Sequence, residues 1–179
     1  MKSIITLLFL FMIVAAYGQR ETYFEYKLSS NGKYYIATPL FESNPYKDNK
    51  NQCIFQFKTS DGMMYLRKLV NSATSFALKN EVGELKYVNM GNHEYSQSKL
   101  TISINDKGQV RYVIFMIAKE DSNLLLDSVL YQIYQKLQTM KLDMNRGVME
   151  VIKEDSTSSE KYFSFTIQLY TRVFKGKKL

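Results

Sequence analysis

The chain has 179 residues, 24 of them basic and 17 acidic, for a formal charge of +7; 45% are hydrophobic and 14% aromatic, and there is one cysteine. That balance excludes a disordered or collagen-like chain, and a lone cysteine excludes a disulfide-stapled miniprotein. Only one apolar run approaches the length of a membrane span, which excludes a polytopic membrane protein.

That run opens the chain. Lys2 precedes an apolar stretch from Ile4 to Ala16 broken only by Thr6, and Ala16 and Gly18 place small residues before Gln19. This is the pattern of a secretory signal over residues 1–18; cleavage, which leaves no integral span, is the expectation, and retention as a membrane anchor is the rival reading. Cys53 has no partner for an internal bridge. Export without disulfides points to the periplasm or outer surface of a bacterium. Cys53 is expected to serve as a small buried hydrophobe.

Residues 19–95 read as a β-rich N-terminal region, with strands expected at 22–28, 33–38, 53–58 and 84–90. Ser60-Asp61-Gly62 and Asn80-Glu81-Val82-Gly83 have the composition of hairpin turns. Residues 63–70 lie between them. Met63, Leu66 and Val70 have helical spacing, but the preceding Gly turn favours a strand. Gly91-Asn92 is the best boundary if residues 19–95 and 96–179 are separate units.

From residue 96 on, strands are expected at 98–104 and 109–118, joined by an Asn105-Asp106-Lys107-Gly108 turn. Tyr112 to Ile117 is apolar at every position, as in a central strand covered on both sides or one that reaches an interface. A helix is then expected from Ser122 to Arg146, capped by Asp121 or Ser122 and ended by Gly147. Leu126, Leu130, Ile133, Leu137, Met140 and Met144 form its apolar stripe, widened by Leu125 and Val129. Strands at 148–153 and 161–174 follow, joined in a hairpin by the polar residues 155–159. In the last strand Phe163, Phe165, Ile167 and Leu169 alternate with Tyr162, Ser164, Thr166, Gln168 and Tyr170, the period of a sheet with one face in water. The predicted fold class is α+β: an antiparallel β-sheet with one long amphipathic helix packed on a face, and a C-terminal order of β-β-α-β-β.

Over about residues 96–179 the sequence resembles the C-terminal domain of TonB-family energy transducers. The matching stretches are Leu100 to Val110 with its Asn-Asp-Lys-Gly turn, Leu126-Asp127 through Lys141, and Tyr162 to Leu169. The family's Trp-x-Pro-like segment after the helix and its proline-rich linker are absent. The resemblance therefore implies the fold and the recognition of extended partner segments at a sheet edge, without energy transduction.

Chemistry is sparsely provided for. His93 is the only histidine, so any Ser-His-Asp or Cys-His site must use it. One Cys and one His fall short of a zinc set, and Asn105–Gly108 lacks the carboxylate series of a calcium loop. No phosphate-binding glycine loop occurs. Glu120-Asp121, Glu154-Asp155 and Glu81 with Glu84 read as solvent-facing neighbours in polar turns. No catalytic residue, metal or other cofactor is expected.

The expected function is that of an exported, non-enzymatic binding protein of the bacterial envelope, whose protein partner adds a strand to the last strand. Tyr162, Ser164, Thr166, Gln168 and Tyr170 would flank that partner. The alternative is a carrier of a lipid or other apolar small molecule in a barrel-like pocket. Nucleic acid is not an expected partner, since no basic stripe or motif supports one. Lys175-Gly176-Lys177-Lys178 is the only cationic cluster and offers weak contact with an anionic surface.

Overall fold

The computed structural model describes residues 22–48, 51–78, 87–90, 93–151 and 160–169. The segments expected as a signal (1–18), a turn (80–83), a polar loop (155–159) and a lysine tail (175–178) lie outside the described residues, as does Tyr170.

Nine strands and two helices follow in chain order among the described residues: β1 Phe24–Leu28, β2 Tyr34–Pro39, β3 Cys53–Phe57, α1 Asp61–Ala77, β4 Tyr87–Met90, β5 His93–Ser96, β6 Lys99–Asn105, β7 Val110–Ala118, α2 Asp127–Gln138, β8 Gly147–Val151 and β9 Tyr162–Gln168. The fold is α+β. Five strands form an antiparallel sheet in the order β1-β2-β7-β6-β9, with two small sheets, β3-β8 and β4-β5, beside it. From β6 onward the order is β-β-α-β-β. Strands on both sides of residue 96 share hydrogen bonds, β2 with β7 and β3 with β8.

β7 is the central strand, but it is fully covered on one face only: Ile114 and Met116 on the other face are half-exposed. Val113, Phe115 and Ile117 point into the core, and α2 packs on them through Val129, Leu130, Ile133, Tyr134 and Leu137. The Asn105–Gly108 turn forms as expected. Asn105 accepts the backbone N–H groups of Lys107 and Gln109, and Gly108 has φ +79°. A Cβ at Gly108 would also overlap the Leu142 carbonyl, whose residue docks its N–H on the Gly108 oxygen at 2.7 Å.

Residues 63–70 are helical, not extended: α1 runs 17 residues from Asp61. Its buried line is Gly62, Leu66, Val70, Ala73, Thr74 and Ala77, and Thr74 returns its hydroxyl to the Val70 carbonyl at 2.9 Å. Gly62 lies in the first turn of this helix and makes no hairpin; the Phe57 ring occupies the space a Cβ there would need. The second helix is shorter than its periodicity suggested, 12 residues from Asp127. Asp121 and Ser122 do not cap it. They belong to a 3-10 turn, with Leu124 and Leu125 both donating to the Asp121 carbonyl. Met144–Arg146 is a second 3-10 turn, and Gly147 is extended (φ −141°) as the first residue of β8. β8 and β9 do not pair with each other; β8 joins β3 and β9 joins β6.

Asp121 is fully buried and accepts a short hydrogen bond from Ser98, whose Oγ in turn accepts the Ala118 N–H at 2.9 Å. This ties the end of β7 to the start of β6. A hydrogen bond to a buried carboxylate contributes about 1.5–3 kcal/mol. Ser98→Ala is therefore expected to lower the urea-unfolding free energy by about 2–3 kcal/mol at unchanged m-value.

Candidate functional site

β9 is one of the two outermost strands of the five-stranded sheet. Its register on β6 pairs Tyr162 with Asn105, Ser164 with Ser103, Thr166 with Thr101 and Gln168 with Lys99. The backbone hydrogen bonds at either end fix which residues face β6. Lys161 accepts from Asp106 and Leu169 donates to Ser98, so odd-numbered residues bond inward. Tyr162 donates outward, to the Asn51 carbonyl at 3.2 Å. By the two-residue period of a strand, the N–H and C=O groups of Ser164, Thr166 and Gln168 also point outward.

The side chains obey the same parity. Phe163 and Ile167 are buried, while Ser164 and Thr166 are exposed. Even-numbered pairs with β6 are the close, non-hydrogen-bonded kind, which brings hydroxyls together: Ser103 with Ser164 at 2.9 Å and Thr101 with Thr166 at 3.0 Å. Four of the five expected edge residues thus lie on one face of β9, with Ser164 and Thr166 exposed and Tyr162 and Gln168 half-buried. Tyr170, the fifth, lies outside the described residues.

The core side of β9 is held by rings. Phe55 stacks on Phe163 at 4.8 Å, and Phe57 on Phe165 at 5.8 Å. β3 meets the outer edge of β9 at an isolated bridge from Gln52 to Tyr162. It then pairs with β8. Among the described residues, no strand or backbone hydrogen bond occupies the outer side of Ser164, Thr166 and Gln168.

A polar cluster closes the Tyr162 end. Tyr46, buried in the segment after β2, stacks on Tyr162 at 4.0 Å and donates to Glu160 at 3.3 Å. Glu160 also accepts from buried Asn105 at 3.0 Å. Arg111 is the extra residue where the β6–β7 register shifts, and its charge acts on Tyr46. The sequence reading missed Tyr46, Asn105, Arg111 and Glu160 as neighbours of the edge. Thr101 and Ser103 were visible as the polar positions of β6, but their pairing with β9 needed the register.

The two outer strands differ in a way that bears on binding. β1 carries exposed Glu25 and Lys27, an ion pair at 3.1 Å, and charge on an edge strand opposes further pairing. β9 contains neither a charged residue nor proline from Tyr162 to Gln168.

Elsewhere the chemistry is dispersed. Cys53 is buried, with its thiol directed at the Asn51 carbonyl. Glu120 is exposed while its neighbour Asp121 is buried, so the two do not face each other across a cleft, and Asp121 is not the solvent-facing turn residue expected. Among the described residues no three metal-ligating side chains converge. Nor is any described helix long and apolar enough to cross a membrane. Two surface grooves, of about 560 and 330 Å³, open beside the Asp106–Lys107 turn and beside Tyr26, Tyr35 and Leu126.

Four tyrosines are shifted upward by burial and by carboxylates, Tyr112 among them through burial and then Glu42. Burial raises the Tyr26 pKa first, with Asp127 adding to it; Tyr46 and Tyr134 are raised by burial and then by Glu160 and Glu42 respectively. A folded pKa above the unfolded value stabilises the fold below the unfolded pKa and loses that contribution as pH rises through the folded one. The fold is thus expected to weaken above about pH 10, the ordinary tyrosine range. A spectrophotometric titration checks this: a fraction of the tyrosinate signal should appear only together with loss of circular dichroism.

The geometry defines an α+β chain with an uncharged outermost strand, β9, whose outer side from Ser164 to Gln168 pairs with no strand among the described residues. Comparisons with protein-family models, with curated proteins and with solved structures each find no match to this chain.

Proposed function

We propose that this chain is an exported, non-enzymatic binding protein of the bacterial envelope that takes up an extended protein segment as a sixth strand beside β9. The observation that carries this reading is the outer edge at Ser164, Thr166 and Gln168, uncharged and with outward backbone groups. Such an edge gives affinity through main-chain hydrogen bonds, and alternate side chains give selectivity. Ser164, Thr166 and Gln168 would lie beside the partner's residues on the open face. The TonB-like pattern over residues 96–179 supports the same mode, since that family's domains recognise extended segments at a sheet edge. Tyr162 marks the closed end of the site.

An apolar-ligand carrier is the weaker reading. Among the described residues the sheet's helical side is filled by Phe24, Leu100, Phe115, Leu130 and Ile133, each 1% exposed or less. A carrier needs an enclosed apolar cavity there.

The test is capture from envelope extract by the mature chain. Outer-membrane proteins recovered by wild type and lost with a folded Thr166→Pro variant would support strand addition. Equal recovery by both would overturn it.

A further inference from the structure

We infer that the solvent side of α1, together with the residues that close α2, is a docking surface for a bilayer rich in anionic headgroups. The surface is separate from the edge of β9 and does not rest on it. α1 buries Leu66, Val70 and Ala73 and turns Met64, Arg67, Lys68 and Phe76 to solvent. Met64 is 57% exposed and Phe76 56%, among the highest values for large apolar side chains here. Met64, Lys68 and Phe76 follow one another at multiples of four residues, so they share one side of the helix in a strip about 18 Å long.

Charge selects the partner. α1 has no acidic residue after Asp61, and α2 has none after Asp127. Lys136 places its ammonium over the Phe76 ring at 5.4 Å, and Arg146 its guanidinium over Tyr65 at 4.3 Å. Lys141 lies beside the first turns of α1, where its carbonyl accepts from the Tyr65 hydroxyl at 3.5 Å. The acidic groups nearby are Asp143, paired with Arg146 at 3.4 Å, and Asp61, which sits at the positive end of the α1 dipole. Arg67, Lys68, Lys136 and Lys141 therefore outnumber Asp61 around two exposed apolar side chains.

That combination suits the zone between acyl chains and phosphates. Met64 and Phe76 lose water on entering it, and the lysine stems lie along apolar surface while their ammonium groups reach the headgroups. A ring carrying a cation is at home at the same depth. Tyr26 and Leu126 are exposed too, but they share a groove with Asp127, which would face headgroup phosphates.

Two apolar anchors and a few cations give reversible, salt-sensitive contact and not stable insertion. Docking in this way leaves Ser164 and Thr166 uncovered, because the helices pack on the other face of the sheet.

The experiment uses the mature chain carrying Lys175→Gln, Lys177→Gln and Lys178→Gln, so that the tail supplies no attraction. It is expected to sediment with vesicles of equimolar phosphatidylcholine and phosphatidylglycerol, and not with phosphatidylcholine alone. Lys68→Gln with Lys141→Gln should lower the partition coefficient roughly thirtyfold, the effect of two cations at an anionic surface. The chain has no tryptophan, so Met64→Trp is a sole reporter. Its emission should shift to the blue on the anionic vesicles and be quenched by brominated acyl chains. Thr166→Trp, on the opposite face, should show neither. Met64, Lys68, Lys141 and Thr166 are all exposed, so these variants keep the fold, which circular dichroism checks. Absence of binding to anionic vesicles, equal binding to phosphatidylcholine, undiminished binding by the lysine variant, or an equal shift at Thr166→Trp would each overturn the proposal.

Discussion

Phe163→Ala is expected to lower the unfolding free energy by about 3–5 kcal/mol, the range for emptying a buried aromatic position. Phe163 is 1% exposed, stacks on Phe55 at 4.8 Å and meets Phe165 edge-on at 5.2 Å. Its loss removes apolar burial, a ring pair and the contact that fastens β3 beneath β9. Thr166→Ala, three residues on and on the opposite face, removes only an exposed hydroxyl pair and should change stability by about 0.5 kcal/mol or less. Urea unfolding of the two variants at constant m-value is the measurement. A Phe163→Ala cost below about 1 kcal/mol would mean that the ring cluster does not form and that β9 is not anchored from its core side. The binding surface depends on that anchorage, because rings grip one face of β9 and leave its outer hydrogen-bonding groups free.

The alternation of β9 was legible because one of its faces is apolar and the other polar, and the observed burial follows it from Phe163 to Leu169. The apolar run of β7 pointed to its central place, but not to how its faces are covered: Val113, Phe115 and Ile117 are buried, while Ile114 and Met116 on the other face stay half-exposed. α1 was misread at its start. Gly62 signals a turn in sequence, but here it lets Phe57 lie against a helix. The later buried positions of α1 are Ala73, Thr74 and Ala77, small residues that add little to an apolar count. α2 was overextended because Met140 and Met144 keep its period after the chain has left the helix. Pairing was the least legible feature. β8 and β9 are successive strands with hairpin-like spacing, yet each finds a partner far off in sequence, β3 and β6. Patterns name the face of a strand and not its neighbour. The outermost position of β9 and the absence of charge on that edge therefore acquire meaning together only in the folded chain.

Proline substitution at successive positions of β9 tests this most directly. Ile167→Pro should unfold the chain or cost about 3 kcal/mol or more, because the Ile167 N–H faces Leu100 across the ladder and its side chain is 3% exposed. Thr166→Pro removes an N–H that points away from β6, and an outward N–H on an edge strand is where a sheet tolerates proline. It should cost about 1 kcal/mol or less beyond the lost hydroxyl pair and leave the far-ultraviolet spectrum intact. Thermal unfolding of the two variants therefore reads the direction of the backbone groups. If Thr166→Pro is as damaging as Ile167→Pro, another strand already occupies the outer edge of β9, and no incoming segment can use it. A large difference in the expected sense leaves Thr166→Pro as a folded protein with a broken edge, and in that protein a loss of partner capture reports on strand addition and not on unfolding.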